Sequence, residues 1–327
     1  MKAVYIRSFG GPENLEVREM AGPPEPAGGD VLVRVRAAGL NRADLLQRRG
    51  HYPAPKGYSP NIPGLEFAGE IAAVGGGVIE FAGGDRVFGI TAGEAQAEFL
   101  SIDHRLLARI PSNLSFVEAA AVPEAFITAH DAIFTQAGLK SGETLLIHAV
   151  GSGVGLAAVQ LAKAAGAKTI GTSRTADKLE RAREIGLDEA ILTGENAEFS
   201  SILRSKNGGG VDVVLDLVGA GYFRENLECL RPKGRLMLVG LTSGSKADFD
   251  LSVALSKRLK ILGTVLRGRS LDEKADATKR FADEVVPLLA SGEVRPNIDK
   301  VFPMERVAEA HEFLESNRSF GKVVLEI

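Results

Sequence analysis

Apolar and polar residues alternate in two different ways along this chain, and the change occurs near residue 125. From residue 144 onward, short apolar runs alternate with segments whose apolar residues recur at helical spacing. Strands are predicted over 144–149, 168–172, 190–193, 212–217, 235–240 and 260–265. Helices are predicted between them over 154–165, 176–185, 196–205 and 221–230. This order is typical of an α/β domain with a doubly wound parallel sheet.

Residues 1–120 show the period of half-buried strands instead. In 30–39, DVLVRVRAAG, valines alternate with arginines, so one face of the strand is apolar and the other is charged. Further strands are expected over 1–9, 67–78 and 84–91, with glycine-rich turns between them. Many short strands of this kind predict a compact, barrel-like sheet.

A single helix is expected to interrupt these strands, over residues 41–50. Asn41 is its predicted N-cap, and Gly50 is predicted to end it.

After residue 266 the pattern predicts helices over 272–290 and 305–316 and a final strand. This tail is too short to be a domain, so we expect it to pack on the N-terminal β domain. The predicted domains are therefore 1–124 with 266–327, and 125–265.

The composition excludes several classes of protein. The net charge is −3, which leaves no broad basic surface for nucleic acid or membrane binding, although Arg267 and Arg269 remain candidates for a local anion contact. Cys229 is the only cysteine, so an intrachain disulfide and a four-thiolate zinc site are excluded, and we expect it to pack as a small apolar residue. The N-terminus lacks a signal-peptide core and no apolar run is long enough to span a membrane, so a cytoplasmic protein is expected.

The glycine-rich turn after the first parallel strand is the strongest functional signal. Such a turn lets backbone N–H groups at a helix N-terminus approach a pyrophosphate. The literal GxGxxG pattern is absent, because Val150 and Ser152 stand in the first two glycine positions if Gly155 takes the last. We predict a nicotinamide dinucleotide on this turn, with an ordinary tight turn as the alternative. The cofactor-binding residues would be Val150, Gly151, Ser152, Gly153 and Val154.

The end of the second parallel strand favours NADPH. Sites selective for NAD carry an acid there, whereas this strand ends in Ser173 and Arg174, and Lys178 follows one helical turn later. A hydroxyl and two cations suit a 2′-phosphate. Asp177 is expected in the first helical turn, where the dipole favours it. The alternative is that Ser173 caps the helix while the two cations form a solvated face.

The loops after the later parallel strands are expected to flank the nicotinamide, because ligands of open α/β sheets lie outside the carboxyl ends of the strands. These loops contain Leu217, Val218, Gly219, Val239, Gly240 and Leu241. The five histidines show no metal-binding spacing, and His148 is expected to be a hydrogen-bonded structural residue.

The segments AAGLNRADLLQRRGHYP, PGLEFAGE, AVGSGVG and FGKVVLEI occur in an order that resembles the quinone oxidoreductases. These form the zinc-free branch of the medium-chain dehydrogenase/reductase superfamily. The resemblance implies a GroES-like β-barrel domain, a Rossmann domain and a cleft between them for the nicotinamide. It also implies a homodimer formed through the sheet edge at ILGTVL. Zinc-containing relatives have a Cys at the position of Asn41 and a His at that of Leu65, so no zinc is expected.

The resemblance also assigns roles to single residues. Asn41 would lie near the nicotinamide carboxamide, Tyr52 would hydrogen-bond a quinone oxygen, and Thr128 would meet the cofactor. The residues themselves leave alternatives open, namely a helix cap for Asn41 and Thr128 and surface packing for Tyr52. Thr193 stands where a tyrosine often supports the adenosine phosphate.

The resulting prediction is NADPH-dependent reduction of a quinone, with Tyr52 and Asn41 as the catalytic residues. Reduction of an alkenal or enone is one alternative, because the hydride chemistry is the same. An NADPH-binding regulatory protein with little turnover is the other.

Overall fold

The computed structural model describes residues 1–193, 198–206 and 209–327, and it divides into two units. We call Met1–Ile127 with Leu266–Ile327 the β domain, and Thr128–Val265 the α/β domain. The beginning of the helix predicted over 196–205 lies outside the described residues.

Fifteen strands are formed by the described residues. They are β1 (Lys2–Ile6), β2 (Leu15–Glu19), β3 (Asp30–Leu40), β4 (Glu66–Val74), β5 (Arg86–Ile90), β6 (Phe99–Asp103), β7 (Leu107–Arg109), β8 (Thr144–Ile147), β9 (Lys168–Ser173), β10 (Glu189–Leu192), β11 (Val211–Asp216), β12 (Leu230–Leu238), β13 (Lys260–Gly263), β14 (Ile298–Pro303) and β15 (Lys322–Glu326).

The same residues form eleven α-helices. They are α1 (Arg42–Arg48), α2 (Phe116–Ala120), α3 (Pro123–His130), α4 (Gly153–Ala164), α5 (Ala176–Ile185), α6 (Ser200–Lys206), α7 (Phe223–Cys229), α8 (Leu251–Lys257), α9 (Leu271–Glu284), α10 (Val286–Ser291) and α11 (Val307–Glu315). No helix of this described part is long and apolar enough to cross a membrane.

The β domain is built on a seven-stranded sheet in the order β14-β15-β3-β4-β5-β7, with β6 also paired to β3. The alternation predicted for 30–39 is observed in β3, where the three valines are at most 2% exposed while Arg34 and Arg36 are exposed. The C-terminal strand β15 pairs antiparallel with β3, so the tail of the chain is part of this sheet.

The α/β domain contains a six-stranded sheet in the order β10-β9-β8-β11-β12-β13. Every neighbouring pair is parallel. This is the strand order of the Rossmann fold, and the predicted fold class is confirmed. The order reverses between β8 and β11, so the loops after these two strands leave in opposite directions at the edge where ligands bind such sheets.

The single helix predicted over 272–290 is wrong. Helix α9 ends at Glu284 and α10 begins at Val286, with Pro287 in its first turn. Proline lacks the N–H that a continuous helix needs, and its ring would clash with the carbonyl of Asp283 one turn earlier.

The sequence pattern did not predict three short helices, α2, α3 and α8. Helix α2 follows a capping box formed by Ser115 and Glu118, so the expectation of one helix in residues 1–120 is wrong. In α8, Leu251 and Leu255 are 72% and 79% exposed, so this helix has no buried apolar face to produce a clear periodic signal.

Candidate functional site

The glycine-rich turn leads from β8 into α4 at the carboxyl edge of the sheet. Ser152 is the N-cap of α4, and its hydroxyl accepts a hydrogen bond from the Gly155 N–H at 3.1 Å. A Cβ atom on Gly155 would lie 2.6 Å from the Val150 carbonyl oxygen, so this position requires glycine. Gly155 therefore permits the close helix–strand packing for which the last glycine of a dinucleotide turn is used.

The residues predicted to hold a pyrophosphate lie at the beginning of α4. Val150 and Gly151 are buried, whereas Ser152, Gly153 and Val154 retain exposed surface. The first N–H groups of a helix have no partner within the helix, and the dipole makes this end positive. The turn is thus suited to bind an anion.

Ser173 is the last residue of β9 and is 8% exposed. Its hydroxyl accepts from the Thr175 N–H at 3.2 Å, and Thr175 rather than Ser173 is the N-cap of α5. Arg174 is exposed and Lys178 is half-buried, while Asp177 lies in the first turn of α5, as expected. The strand therefore ends with a hydroxyl and a guanidinium.

Thr193, which follows β10, is committed to internal hydrogen bonds. Its hydroxyl donates to the Ser173 carbonyl at 3.3 Å and accepts from the Tyr222 phenol at 2.9 Å. Tyr222 thus reaches the residue that follows β10 from a distant part of the chain, a contact that the sequence did not predict.

The two loops predicted to flank the nicotinamide lie against each other. The N–H groups of Val239 and Gly240 both donate to the Asp216 carbonyl, at 2.9 and 3.1 Å. A Cβ on Gly240 would lie 2.7 Å from the Leu217 carbonyl oxygen, and Gly219 has φ 91°, which favours glycine. The structure therefore brings these loops to one place, with Leu241 55% exposed at their surface.

Asp216, the last residue of β11, holds the first of these loops in place through hydrogen bonds to its backbone. Its Oδ1 accepts from the N–H groups of Val218 at 2.7 Å and Gly219 at 2.9 Å, and its Oδ2 accepts from the Asn226 amide at 3.0 Å. Burial raises the pKa of Asp216 to about 6.

The expectation that His148 is a hydrogen-bonded structural residue is confirmed. Its ring lies 2.8 Å from the Thr172 hydroxyl and 2.6 Å from the Asn226 amide oxygen. Burial lowers the pKa of His148 to about 4, so the imidazole is neutral. Cys229 is buried at the end of α7, also as expected.

In the β domain, Asn41 occupies the N-cap position of α1, and its side chain is directed to a buried ion pair. Its N–H donates to the Asp44 carboxylate at 2.7 Å, its amide nitrogen donates to Glu66 at 2.8 Å, and its amide oxygen accepts from the Lys322 ammonium at 2.7 Å. The orientation of Asn41 is therefore set by residues that the sequence interpretation did not select.

The ion pair of Glu66 and Lys322 has almost no solvent exposure, with side chains 0% and 6% exposed. Lys322 also donates to the Leu40 carbonyl at 2.8 Å, and Glu66 accepts from the Glu124 N–H at 2.9 Å. Burial, followed by the charge of Glu66, raises the pKa of Glu124 to about 8. Burial also raises the pKa of Asp44 to about 6. The Lys322 ammonium thus pairs directly with Glu66, and its charge also acts on the buried carboxyl groups of Asp44 and Glu124.

Tyr52 lies against Arg267. The guanidinium carbon is 4.8 Å from the centre of the ring, and the guanidinium donates to the Tyr52 carbonyl at 3.1 Å. It also donates to the Ala92 carbonyl at 2.8 Å and to the Gln47 amide oxygen. The N–H groups of the Arg267 guanidinium therefore donate to acceptors within the protein, which corrects the expectation that Arg267 contacts an anion. Burial raises the pKa of Tyr52, so the phenol stays protonated at neutral pH.

Helix α1 connects the two predicted catalytic residues, because Asn41 caps it and Gln47 near its end contacts the arginine that holds Tyr52.

Thr128 is 9% exposed on α3. Leu65 is 2% exposed and provides only hydrocarbon. Within residues 1–193, 198–206 and 209–327, no group of three or more His, Cys, Asp and Glu is arranged to hold a metal ion.

Residues 27–130 match the alcohol dehydrogenase GroES-like domain, and residues 153–283 match the zinc-binding dehydrogenase family. A quinone oxidoreductase of Pseudomonas aeruginosa is 35% identical over 325 residues, which is 99% of each chain.

Three solved structures share the whole fold. A quinone oxidoreductase of Escherichia coli complexed with NADPH has a TM-score of 0.89 at 32% identity, over 100% of both chains. An NAD-dependent alcohol dehydrogenase has a TM-score of 0.88 at 34% identity, also over 100% of both chains. The JamJ enoyl reductase has a TM-score of 0.88 at 28% identity, over 99% of this chain and 98% of that one.

The raised pKa of Glu124 predicts a pH-dependent stability. The folded protein keeps this proton up to about pH 8, whereas the ordinary pKa of a glutamate is 4.5. Between these values the folded state binds more protons than the unfolded state, so the wild type loses stability as pH rises. Glu124→Gln has no proton to lose. We expect its melting temperature, relative to wild type, to increase between about pH 6 and about pH 9, by roughly 2–4 °C for each kcal/mol gained.

The control for this measurement is Glu19→Gln, a change at an exposed glutamate of the same domain. A melting-temperature difference for Glu124→Gln that stays constant with pH would contradict the assigned protonation.

Proposed function

This chain belongs to the quinone oxidoreductase branch of the medium-chain dehydrogenase/reductase superfamily, and on that premise we propose that it reduces a quinone with NADPH and without zinc. The observation that carries the proposal is the set of groups gathered at the carboxyl edge of the α/β sheet. The glycine-rich turn, the hydroxyl and cations after β9, and the paired loops after β11 and β12 all lie at the ends of parallel strands.

NADPH is preferred to NADH in this proposal because of the charge at the end of β9. Arg174 is exposed there, and no carboxylate of β9 is present to accept from a ribose hydroxyl. A 2′-phosphate would receive charge-assisted hydrogen bonds from Arg174 and Lys178. Thr193 takes no part, since its hydroxyl is committed to Ser173 and Tyr222. The similar Escherichia coli enzyme was solved with NADPH, whereas a similar alcohol dehydrogenase is described as NAD-dependent.

The catalytic roles in the proposal fall to Asn41 and Tyr52. When bound, NADPH supplies a hydride, and a quinone that accepts the hydride and one proton becomes a hydroquinone. Asn41 would orient the carboxamide of the nicotinamide, because its own amide is held rigidly by Glu66 and Lys322. Tyr52 would donate a hydrogen bond to the quinone oxygen, because its phenol stays protonated.

We propose a reaction without zinc because Asn41 and Leu65 stand at the positions where zinc-containing relatives have a Cys and a His. Zinc sites use Cys, His, Asp and Glu side chains, whereas Asn41 offers an amide and Leu65 has no donor atom. A quinone accepts hydride readily, so the reaction requires no Lewis acid.

We further propose that the protein forms a homodimer through β13. This strand is at the edge of the six-stranded sheet, and Ile261 within it and Val265 just after it are 38% and 54% exposed. An exposed apolar edge strand is a surface that proteins usually cover.

Reduction of an enone is the second candidate function. The similarity to the JamJ enoyl reductase supports it, and this reaction uses the same hydride donor. The assay that separates the two follows NADPH oxidation at about 340 nm with an ortho-quinone and, in parallel, a 2-alkenal. We expect turnover with the quinone. Turnover with the alkenal alone would replace the proposed substrate class, and turnover with neither would contradict both.

Arg174→Ala tests the proposed recognition of the 2′-phosphate. Loss of a charge-assisted hydrogen bond should raise the Kd for NADPH roughly tenfold or more and leave the Kd for NADH almost unchanged. Both constants can be measured by nicotinamide fluorescence. Arg183→Ala, at an exposed position of the helix α5 that follows Arg174, is the matched control. Equal weakening of both cofactors by Arg174→Ala would contradict this role.

Tyr52→Phe tests the proposed hydrogen bond to the quinone. The phenylalanine keeps the ring that packs under Arg267 but removes the phenol, so we expect kcat with the quinone to fall roughly tenfold or more while the Kd for NADPH is unchanged. Tyr58→Phe, in the same loop, serves as the control. An unchanged kcat for Tyr52→Phe would show that another group or water performs this task.

A further inference from the structure

We propose that His148 and Asn226 are positioning residues that hold the nicotinamide-binding loop at a set distance from the phosphate-binding turn. They do so through a buried chain of side-chain hydrogen bonds beneath the carboxyl edge of the α/β sheet. This inference rests on the proposed function only in requiring that the domain binds NADPH.

The chain of hydrogen bonds has four members, all 0% exposed: Thr172, His148, Asn226 and Asp216. The Thr172 hydroxyl is 2.8 Å from His148 Nδ1, and His148 Nε2 is 2.6 Å from Asn226 Oδ1. Asn226 Nδ2 donates to Asp216 Oδ2 at 3.0 Å. Three of these residues belong to or follow the neighbouring strands β9, β8 and β11, and the fourth belongs to α7.

The donors and acceptors of this chain allow one arrangement of protons. The ionised Asp216 carboxylate only accepts, so the Asn226 amide nitrogen faces it and the amide oxygen faces His148. The His148 imidazole must then carry its proton on Nε2, which leaves Nδ1 to accept from the Thr172 hydroxyl. Because the imidazole is neutral, every buried polar atom of the chain has a partner of the right kind.

Both ends of the chain are attached to predicted cofactor-binding backbone. At one end, Asp216 Oδ1 accepts from the N–H groups of Val218 and Gly219 at 2.7 and 2.9 Å. At the other end, the Thr172 carbonyl accepts from the Val150 N–H at 3.1 Å, at the start of the glycine-rich turn. The four side chains therefore connect the turn expected to bind the pyrophosphate with the loop expected to bind the nicotinamide.

The surroundings of His148 make this connection rigid. The rings of Tyr222 and Phe199 lie 4.8 and 4.9 Å from the imidazole, centre to centre. A hydrogen-bonded chain in such an apolar setting is costly to break, because water does not replace a lost partner. Arg174 and Lys178 at the end of β9 are not members of this chain, so the adenosine end should be independent of it.

The test measures binding of NADPH and of 2′,5′-ADP, which has the adenosine and its 2′-phosphate but no nicotinamide. Asn226→Leu removes two links of the chain while retaining a similar volume. We expect the Kd for NADPH to rise roughly tenfold or more and the Kd for 2′,5′-ADP to stay within about twofold of wild type.

A second variant keeps the test decisive if Asn226→Leu does not fold. Thr172→Val keeps the shape of the side chain and removes the hydroxyl, and we expect the same selective weakening of NADPH, while Thr172→Ser should bind as wild type does. Thr169→Val is the matched control, because this buried threonine of the same strand donates to Asp188 at 2.9 Å, outside the chain.

Equal weakening of NADPH and 2′,5′-ADP by Asn226→Leu and Thr172→Val would overturn the inference, since it would indicate general damage to the domain. Unchanged binding of both ligands would overturn it as well. These are binding measurements, so a protein that binds NADPH but does not turn over quinone would contradict the proposed activity without affecting this result.

Discussion

Every neighbouring pair in the six-stranded sheet is parallel, and this pairing decides where the chemistry of the α/β domain can take place. Parallel strands end at the same edge, so segments far apart in sequence, such as the turn after β8 and the loops after β11 and β12, become neighbours. The reversal of strand order between β8 and β11 directs their loops apart and provides room for a ligand.

Burial of charged and polar groups is the second constraint, and each domain meets it with a side-chain network. In the β domain, the Lys322 ammonium is shared by Glu66, Asn41 and the Leu40 carbonyl. In the α/β domain, His148 and Asn226 connect Thr172 with Asp216. Removing one partner from such a network leaves the others unpaired in a low-dielectric interior, so each network strongly favours one geometry.

The glycine-rich turn departs from the GxGxxG pattern, and the packing around each of its positions explains why. Gly155 is irreplaceable, because a Cβ atom there would lie 2.6 Å from the Val150 carbonyl oxygen. Val150 is acceptable where a glycine is usual, because its side chain is fully buried and its N–H is bonded to Thr172. The turn thus keeps its required glycine where the helix packs on the strand. Its other positions follow the local packing.

The sequence by itself determined the alternation of strands and helices, the fold class, the family and the absence of an acid at the end of β9, because these depend on local periodicity and on motif order. It also contained the signals of α2 and of the break at Pro287, which are local. Only the tertiary structure decided that Lys322 meets Glu66, 256 positions away, that Tyr222 reaches Thr193, and that Glu124 holds its proton to about pH 8. Periodicity shows which face of an element is buried, but strand order and register determine which side chains meet there, and these contacts set the charges of the site.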